Sequence, residues 1–341
     1  MTNNIIFAIF YCSELTCEAW TILERPLKIQ TQIERGDTVR YEMIHILTTA
    51  VLEAGRIASE ALRAGVSSTV KENVPGGSHH SISTEADELS QNYLLGTLRK
   101  HYPKAKFLAE ESCSGKDIIT DETVELVKKG TVFVLDALDG TAGAYRHRWD
   151  WSVCGNVMQD GEYIGGVVFA PDARGGMTIV GERSVGILLK EGGDVSYRRV
   201  GISKCDDIKK STVLFGVDVQ KRAEFTEFAH VVANAVETAV TAGSCALGVA
   251  TVAVGKAEAI VQPHQWPWDW STAPSLIVPA GGKVQFYHYR NGQPVPLSEP
   301  DLPAYSRINR TDKGGLGFIA GNPALVDWLW QQLTNNWRVN D

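Results

Sequence analysis

The stretch TVFVLDALDGT, residues 131–141, constrains the chain more than any other. Its first five residues are β-branched, aromatic or aliphatic and read as a buried strand. They run straight into Asp136 and Asp139, three positions apart, with Gly140 and Thr141 directly behind. Two unpaired carboxylates aimed at one small volume repel each other and lose solvation. The stretch therefore predicts a positive species held between the two aspartates.

The 341 residues suffice for one large domain or two modest ones. The formal charge of −7 argues against a nucleic-acid surface, which needs a basic stripe. No apolar run is long enough to span a bilayer, and no membrane partner is expected. A small anionic substrate is compatible with this charge if a metal or helix N-termini neutralise it locally. The six cysteines (Cys12, Cys17, Cys113, Cys154, Cys205 and Cys245) form no CxxC pair and read as reduced thiols of a cytoplasmic protein. The N-terminal MTNNIIFAIFYC lacks the basic start and the cleavage site of a secretory signal. Residues 1–42 read as an extension before the folded unit, with residues 43–205 and 206–341 as its two subdomains.

Along the chain, a helix is expected from Met43 to Gly65, and a polar loop over 71–83. A second helix follows Thr84, and FLAEES (107–112) reads as a strand ending in acids. Residues 152–171 look like a hairpin turning at Asp160-Gly161. Past residue 206 the pattern alternates: a strand at KKSTVLFGVD (209–218), a helix over 223–240, then a small-residue helix entering a strand over 241–261. Residues 285–313 read as a long loop, and NPALVDWLWQQLTNNW as a closing helix with Leu325, Trp328, Leu329 and Leu333 inward.

Three places put acids near the ends of strand-like runs: Glu110-Glu111, Asp136 with Asp139, and Asp269 within HQWPWDW. Carboxylates suit hard divalent cations, and one or two of them beside a phosphate are typical of Mg²⁺. Two such ions about 3.5–4 Å apart can hold the attacking and leaving oxygens of phosphoryl transfer in line. Each part alone has a plainer explanation: DxxDG as a turn, Glu110-Glu111 as a surface pair, Asp269 as a helix cap. The three together point to a metal centre.

On these residues the chain resembles the inositol monophosphatase-like family of Mg²⁺-dependent, lithium-sensitive phosphomonoesterases. The family's acidic pair corresponds to Glu110-Glu111, its D-P-I/L-D-G-T/S to residues 136–141, and its W-D to Trp268-Asp269, with Gly281-Gly282 after eleven intervening residues. TEAD (84–87), GSCALGVATVAVGKAEAIV (243–261) and NPALVDWL (322–329) also resemble family segments, so the likeness covers about residues 43–341. It implies an α+β / α/β fold, a layered αβαβα sandwich with an α+β first subdomain and an α/β second one, usually as a homodimer. It further implies that Glu110, Asp136, Asp139, Asp269 and the Leu138 carbonyl ligate two or three Mg²⁺ ions. By the same resemblance Thr141 with Asp87, and Glu110, serve the attacking water. Gly140 and Thr141 would hold phosphate, and Gly243, Ser244, Cys245, Gln262 and Asp269 would face the substrate, a small phosphorylated metabolite.

The chain departs from the pattern at three positions. Ala137 replaces a proline that would stiffen the metal turn. Gln262 stands where inositol-specific members carry glutamate, and Gly143 where many carry asparagine. The last two argue against assuming an inositol phosphate. Trp149, Trp151, Trp266, Trp268 and Trp270 read first as core and second as a wall for a ring-bearing substrate. His79, His80 and His147 read as loop residues before phosphate contacts. A haloacid dehalogenase-type phosphatase would need its first aspartate at position 137, which is alanine. A member that binds metal and ligand without turnover, as partner of another subunit, is the non-enzymatic alternative.

Overall fold

The computed structural model describes residues 35–70, 82–112, 129–297 and 316–337. The chain divides into two units, residues 1–42 and 43–341. Of the first, the described residues are all helical, within α1 (Arg35–Ala64). In the second, β1 (Ser68–Val70) pairs antiparallel with β2 (Ile82–Thr84). Helix α2 (Glu85–His101), capped by Thr84 and Asp87, leads into β3 (Lys106–Ala109) and a 3₁₀ turn, Glu110–Ser112. The strand β4 (Thr131–Asp139) ends in the short helix α3 (Thr141–Ala144). There follow β5 (Ser152–Gln159), β6 (Glu162–Ala170), β7 (Met177–Glu182), β8 (Gly186–Lys190) and β9 (Arg198–Val200). These form a seven-stranded sheet in the order β3-β4-β5-β6-β7-β8-β9, parallel at β3–β4 and antiparallel elsewhere.

The rest begins with β10 (Thr212–Gly216), α4 (Val217–Lys221), α5 (Thr226–Ala235) and β11 (Thr238–Ala242). Next come α6 (Cys245–Ala253), β12 (Ala259–Gln265), α7 (Pro267–Trp270) and α8 (Thr272–Leu276). The chain ends in β13 (Lys283–Arg290), β14 (Gln293–Leu297), β15 (Leu316–Gly321) and α9 (Pro323–Asn335). The second sheet runs β11-β10-β12-β15-β13-β14, with β10 parallel to both its neighbours.

Strand alternation builds the layers. Phe133, Leu135, Val153, Val157 and Val167 face α1 and α2 in one core cluster. Their neighbours Val132, Val134, Cys154, Met158 and Val168 face the other way, onto α6, α7 and α8. The same middle cluster takes Leu214, Ile260 and Phe318 from the second sheet. That sheet's far side, with Val213, Phe215, Val261 and Ile319, packs on α5 and α9. Three separate clusters between five layers make the chain an αβαβα sandwich, as expected. Burial of this apolar surface contributes roughly 25 cal/mol per Å² removed from water. Among the described residues no helix is long and apolar enough to cross a membrane.

Four local expectations change. The first helix starts at Arg35, ahead of Met43. The strand at FLAEES stops at Ala109, and the two glutamates sit in the 3₁₀ turn. The helix expected over 223–240 closes at Ala235, and its β-branched tail pairs with β10 as β11. Residues 285–297, read as the start of a loop, belong to the hairpin β13–β14. Its turn at Asn291-Gly292 has positive φ at both residues, and Pro294 and Pro296 lie on a sheet edge, where a missing N–H is tolerated. The loop expected at 71–83, with His79 and His80, lies outside the described residues save for β2, as do 298–315 of the expected long loop.

Candidate metal centre

Asp136 points from β4 into the middle layer, on the side of Val132 and Val134. The β4–β5 pairing then slips between Asp136 and Asp139, so the strand bulges as it ends. The bulge lets the second aspartate turn toward the same volume. Gly140 carries φ 89°, a left-handed conformation that glycine adopts without a Cβ penalty. A Cβ there would lie 3.0 Å from the Asp150 carbonyl oxygen and 3.2 Å from Ser244 Cβ. The backbone therefore fits tightly at the position where it reverses.

Asp269 arrives from the other half of the molecule. Strand β12 ends, Pro267 opens α7, and Asp269 caps that helix by accepting from the Trp266 N–H at 3.2 Å. Both sequence readings of Asp269 are therefore compatible: it caps a helix and it faces the acids. One carboxylate oxygen each from Asp136, Asp139 and Asp269 lie within 4.8 Å of one another. Burial, and after it the charges of Glu110, Asp139 and Asp269, push the Asp136 carboxyl well above the usual range. The Leu138 N–H, 3.0 Å from Asp136 Oδ1, pulls the other way. Glu110 thus borders the group electrostatically from the 3₁₀ turn without belonging to the tight triad. Three converging carboxylates, two of them buried, form a hard-oxygen donor set that Mg²⁺ fits and that a cation would relieve of repulsion.

Asp139 has a second task. Its Oδ2 accepts from the Ser244 hydroxyl at 2.5 Å and the Ala246 N–H at 2.6 Å, and its Oδ1 from the Cys245 N–H at 3.2 Å. Burial raises its pKa, and these three donors partly offset the rise. The carboxylate thereby pins the N-terminus of α6, whose orphan N–H groups and dipole favour negative charge. Ser244 serves both sides, since its hydroxyl oxygen also accepts from the Leu247 N–H. The Cys245 N–H is spent on Asp139, and its thiol, like that of Cys154, is held protonated by burial. Cys154, Cys205 and Cys245 are free thiols; the other three cysteines lie outside the described residues.

Beside the triad, the Thr141 hydroxyl lies 3.0 Å from Asp87 Oδ1 and 3.0 Å from the Leu138 carbonyl. The buried Asp87 is fixed in turn by the Thr84 N–H and hydroxyl on its Oδ2, at 2.8 and 2.6 Å. The Ser90 hydroxyl, from the same helix α2, donates to the Ala137 carbonyl. Helix α2 therefore grips the metal turn at two points, and this grip stands where the family proline would stiffen it. Gln262 is buried; its side-chain oxygen accepts from the Gln265 amide at 3.2 Å and packs on Gly216. Trp151, Trp268 and Trp270 are core, Trp266 stacks on Trp268, and Trp149 is exposed. His147 is exposed in the turn after α3.

The sequence reading missed Asp150, a buried carboxylate between two tryptophans, and its partner Arg148. An acid two residues after an arginine is common in solvated loops, so no local signal in Arg148-Trp149-Asp150-Trp151 separates this pair from a surface one.

The acids come from three separate segments held in register by two sheets, and comparison shows how widely that framework recurs. The model of the inositol monophosphatase family matches residues 40–313. An inositol monophosphatase of Mesembryanthemum crystallinum is 26% identical over 250 residues, covering 70% of this chain and 84% of that protein. The Nus factor SuhB of Salmonella typhimurium is 24% identical over 244 residues, covering 71% and 85%. The solved inositol monophosphatase of Anabaena superposes with a TM-score of 0.63 at 23% identity, covering 86% of this chain and 96% of that one, a likeness of fold. With a family match over most of its length and the same sandwich beneath it, the chain belongs to the inositol monophosphatase family.

Proposed function

We propose that the protein is a Mg²⁺-dependent phosphomonoesterase acting on a small phosphorylated metabolite by in-line attack of water. The observation that carries this reading is the convergence of Asp136, Asp139 and Asp269 beside the Asp87–Thr141 pair. Glu110, Asp136, Asp139, Asp269 and the Leu138 carbonyl would hold two or three ions. Bound Mg²⁺ supplies positive charge to the phosphate oxygens and acidifies water. The Thr141 hydroxyl has one proton, and a lone pair left over orients the attacking water. Asp87, fixed by two donors from Thr84, draws the proton away through Thr141. The Gly140 and Thr141 N–H groups, at the turn into α3, hold the phosphate.

The naming of one relative as a Nus factor supports a second reading, a member that acts as a partner subunit without turnover. Phosphate release from a panel of inositol, sugar and nucleoside monophosphates, with and without Mg²⁺, separates the two. The expected result is Mg²⁺-dependent release that Asp139→Asn lowers by about 10²–10³-fold or more. A folded, Mg²⁺-binding wild type that releases nothing would sink the enzyme reading. We propose a homodimer in solution, which light scattering at two concentrations tests.

A further inference from the structure

The loop between α3 and β5 carries a charged pair that the metal chemistry does not use. Arg148 donates from Nε to Asp150 Oδ1 at 2.8 Å and from Nη2 to Oδ2 at 2.5 Å, a two-point fork. The two ends are unlike: the Asp150 side chain is 8% exposed, the Arg148 side chain 59%. The carboxylate lies in a notch made by missing side chains. A Cβ on Gly143 would come within 3.1 Å of its Oδ1, and one on Gly243 would overlap its Oδ2. The backbone follows the same plan, with the Arg148 N–H on the Gly143 carbonyl at 3.0 Å and the Gly143 N–H on the Gly140 carbonyl at 2.8 Å. The Asp150 carbonyl itself lies against Gly140, directly after the Asp139 ligand.

A surface ion pair stabilises a fold only slightly. Burying one partner's carboxylate in a notch between two glycines is more than such a pair needs. The burial does one thing a surface pair cannot: it fixes the guanidinium in one plane, on a carboxylate seated against the turn that follows Asp139. The fork uses one edge of the guanidinium. Nη1 has no partner among the described residues, so two N–H donors and one on Nη2 face outward. A guanidinium clamped from behind with donors ahead is preorganised for a planar or tetrahedral oxyanion. The position of Gly143 fits the same account. A side chain at position 143 would start 3.1 Å from Asp150 Oδ1 and press on the clamped carboxylate, so glycine there suits the Arg–Asp pair.

We propose that Arg148, positioned by Asp150, is a specificity-determining residue that binds a second anionic group, carboxylate or phosphate, on the leaving-group side of the substrate. The proposal rests on the phosphomonoesterase reading of the site but is tested without turnover. Short-chain alkyl phosphonates resist hydrolysis because carbon replaces the bridging oxygen. Three are compared by calorimetry with Mg²⁺ present, ending in a hydroxyl, a carboxylate or a second phosphonate. Wild type binds at least one charged member about tenfold more tightly than the hydroxyl member, and the larger ratio identifies the preferred anion. Arg148→Ala, at an exposed position, folds and brings that ratio to about one. Arg148→Lys keeps the charge without the fork and restores part of it. Asp150→Asn lowers it by unclamping the guanidinium, and if that variant does not fold the two Arg148 variants still decide. A wild-type ratio near one, or the same ratio in Arg148→Ala, overturns the proposal. So does an equal loss of all three ligands, which would leave the pair a loop closure only. Phosphate release by wild type is measured alongside. Discrimination without any release would fail the enzyme reading and keep this one.

Discussion

Thr141 shows how much one hydroxyl is asked to do. It is poised between Asp87 Oδ1 and the Leu138 carbonyl, each 3.0 Å away, and can donate to only one at a time. On the proposed mechanism, Thr141→Ala removes the oxygen that orients water while leaving the acids in place. Single-turnover and steady-state kinetics should show kcat lowered about 10²–10⁴-fold with KM changed little. Thr141→Ser should recover most of the loss, which a merely structural role would not predict. At this scale the sequence was highly legible. Gly140 had to be glycine, because it carries φ 89° in a crowded turn, and the two aspartates had to face one volume. Asp150 was not legible, because nothing local distinguishes a buried acid from a solvated one between tryptophans.

At the scale of elements, each acid of the site is delivered by a terminus: the end of β4, the turn after β3, the first turn of α7. Termini can carry polar groups into a packed interior because their backbone groups already need partners. Asp139 exploits this by capping α6 while facing the triad. Away from the site, Glu191 after β8 links Lys256, which follows α6, with Arg198 on β9 and Arg174. The Lys256 hydrogen bond above all, with the charges of Lys256 and Arg174, lowers its pKa. A carboxyl lowered in the fold stabilises above its unfolded value and loses that contribution as pH falls through its folded value. Thermal melts of Glu191→Gln should therefore depend less on pH than wild type below the ordinary glutamate range, with the two converging at the acid end. An unchanged slope would remove Glu191 from the acid sensitivity. The hairpin at 283–297 escaped the sequence reading because two prolines and an Asn-Gly look like loop punctuation until an edge position is known.

For the whole molecule, the acidic cluster is a place where the fold carries a cost that the proposed function would use. Asp136 is buried, flanked by three other acids, and its carboxyl is pushed up. Without a cation this repulsion destabilises the sandwich, and with one it becomes binding energy. Millimolar Mg²⁺ should raise the melting temperature of the wild type by several degrees. Asp136→Asn should melt higher than wild type in a chelator, by about 1 kcal/mol, and should lose the Mg²⁺-dependent rise along with activity. Equal melting of the two proteins in chelator would mean that the metal-free fold tolerates the acids through another arrangement. The features legible from residue order alone were local and periodic. The strand alternation set two faces per sheet, the glycine set the reversal at 140, and the order of acid-bearing segments pointed to one family of sites. Which acids meet was settled by packing between distant segments. Asp269 is 130 residues beyond Asp139 and reaches it because α6, α7 and α8 fill the layer between two sheets. The tertiary structure also decided that Asp139 caps α6, that Gln262 turns to Gln265, and that Asp150 fills the space of two absent side chains. Periodicity reports which face of an element is buried. What occupies the far side of that face is fixed by packing between segments distant in sequence, and no local pattern encodes it.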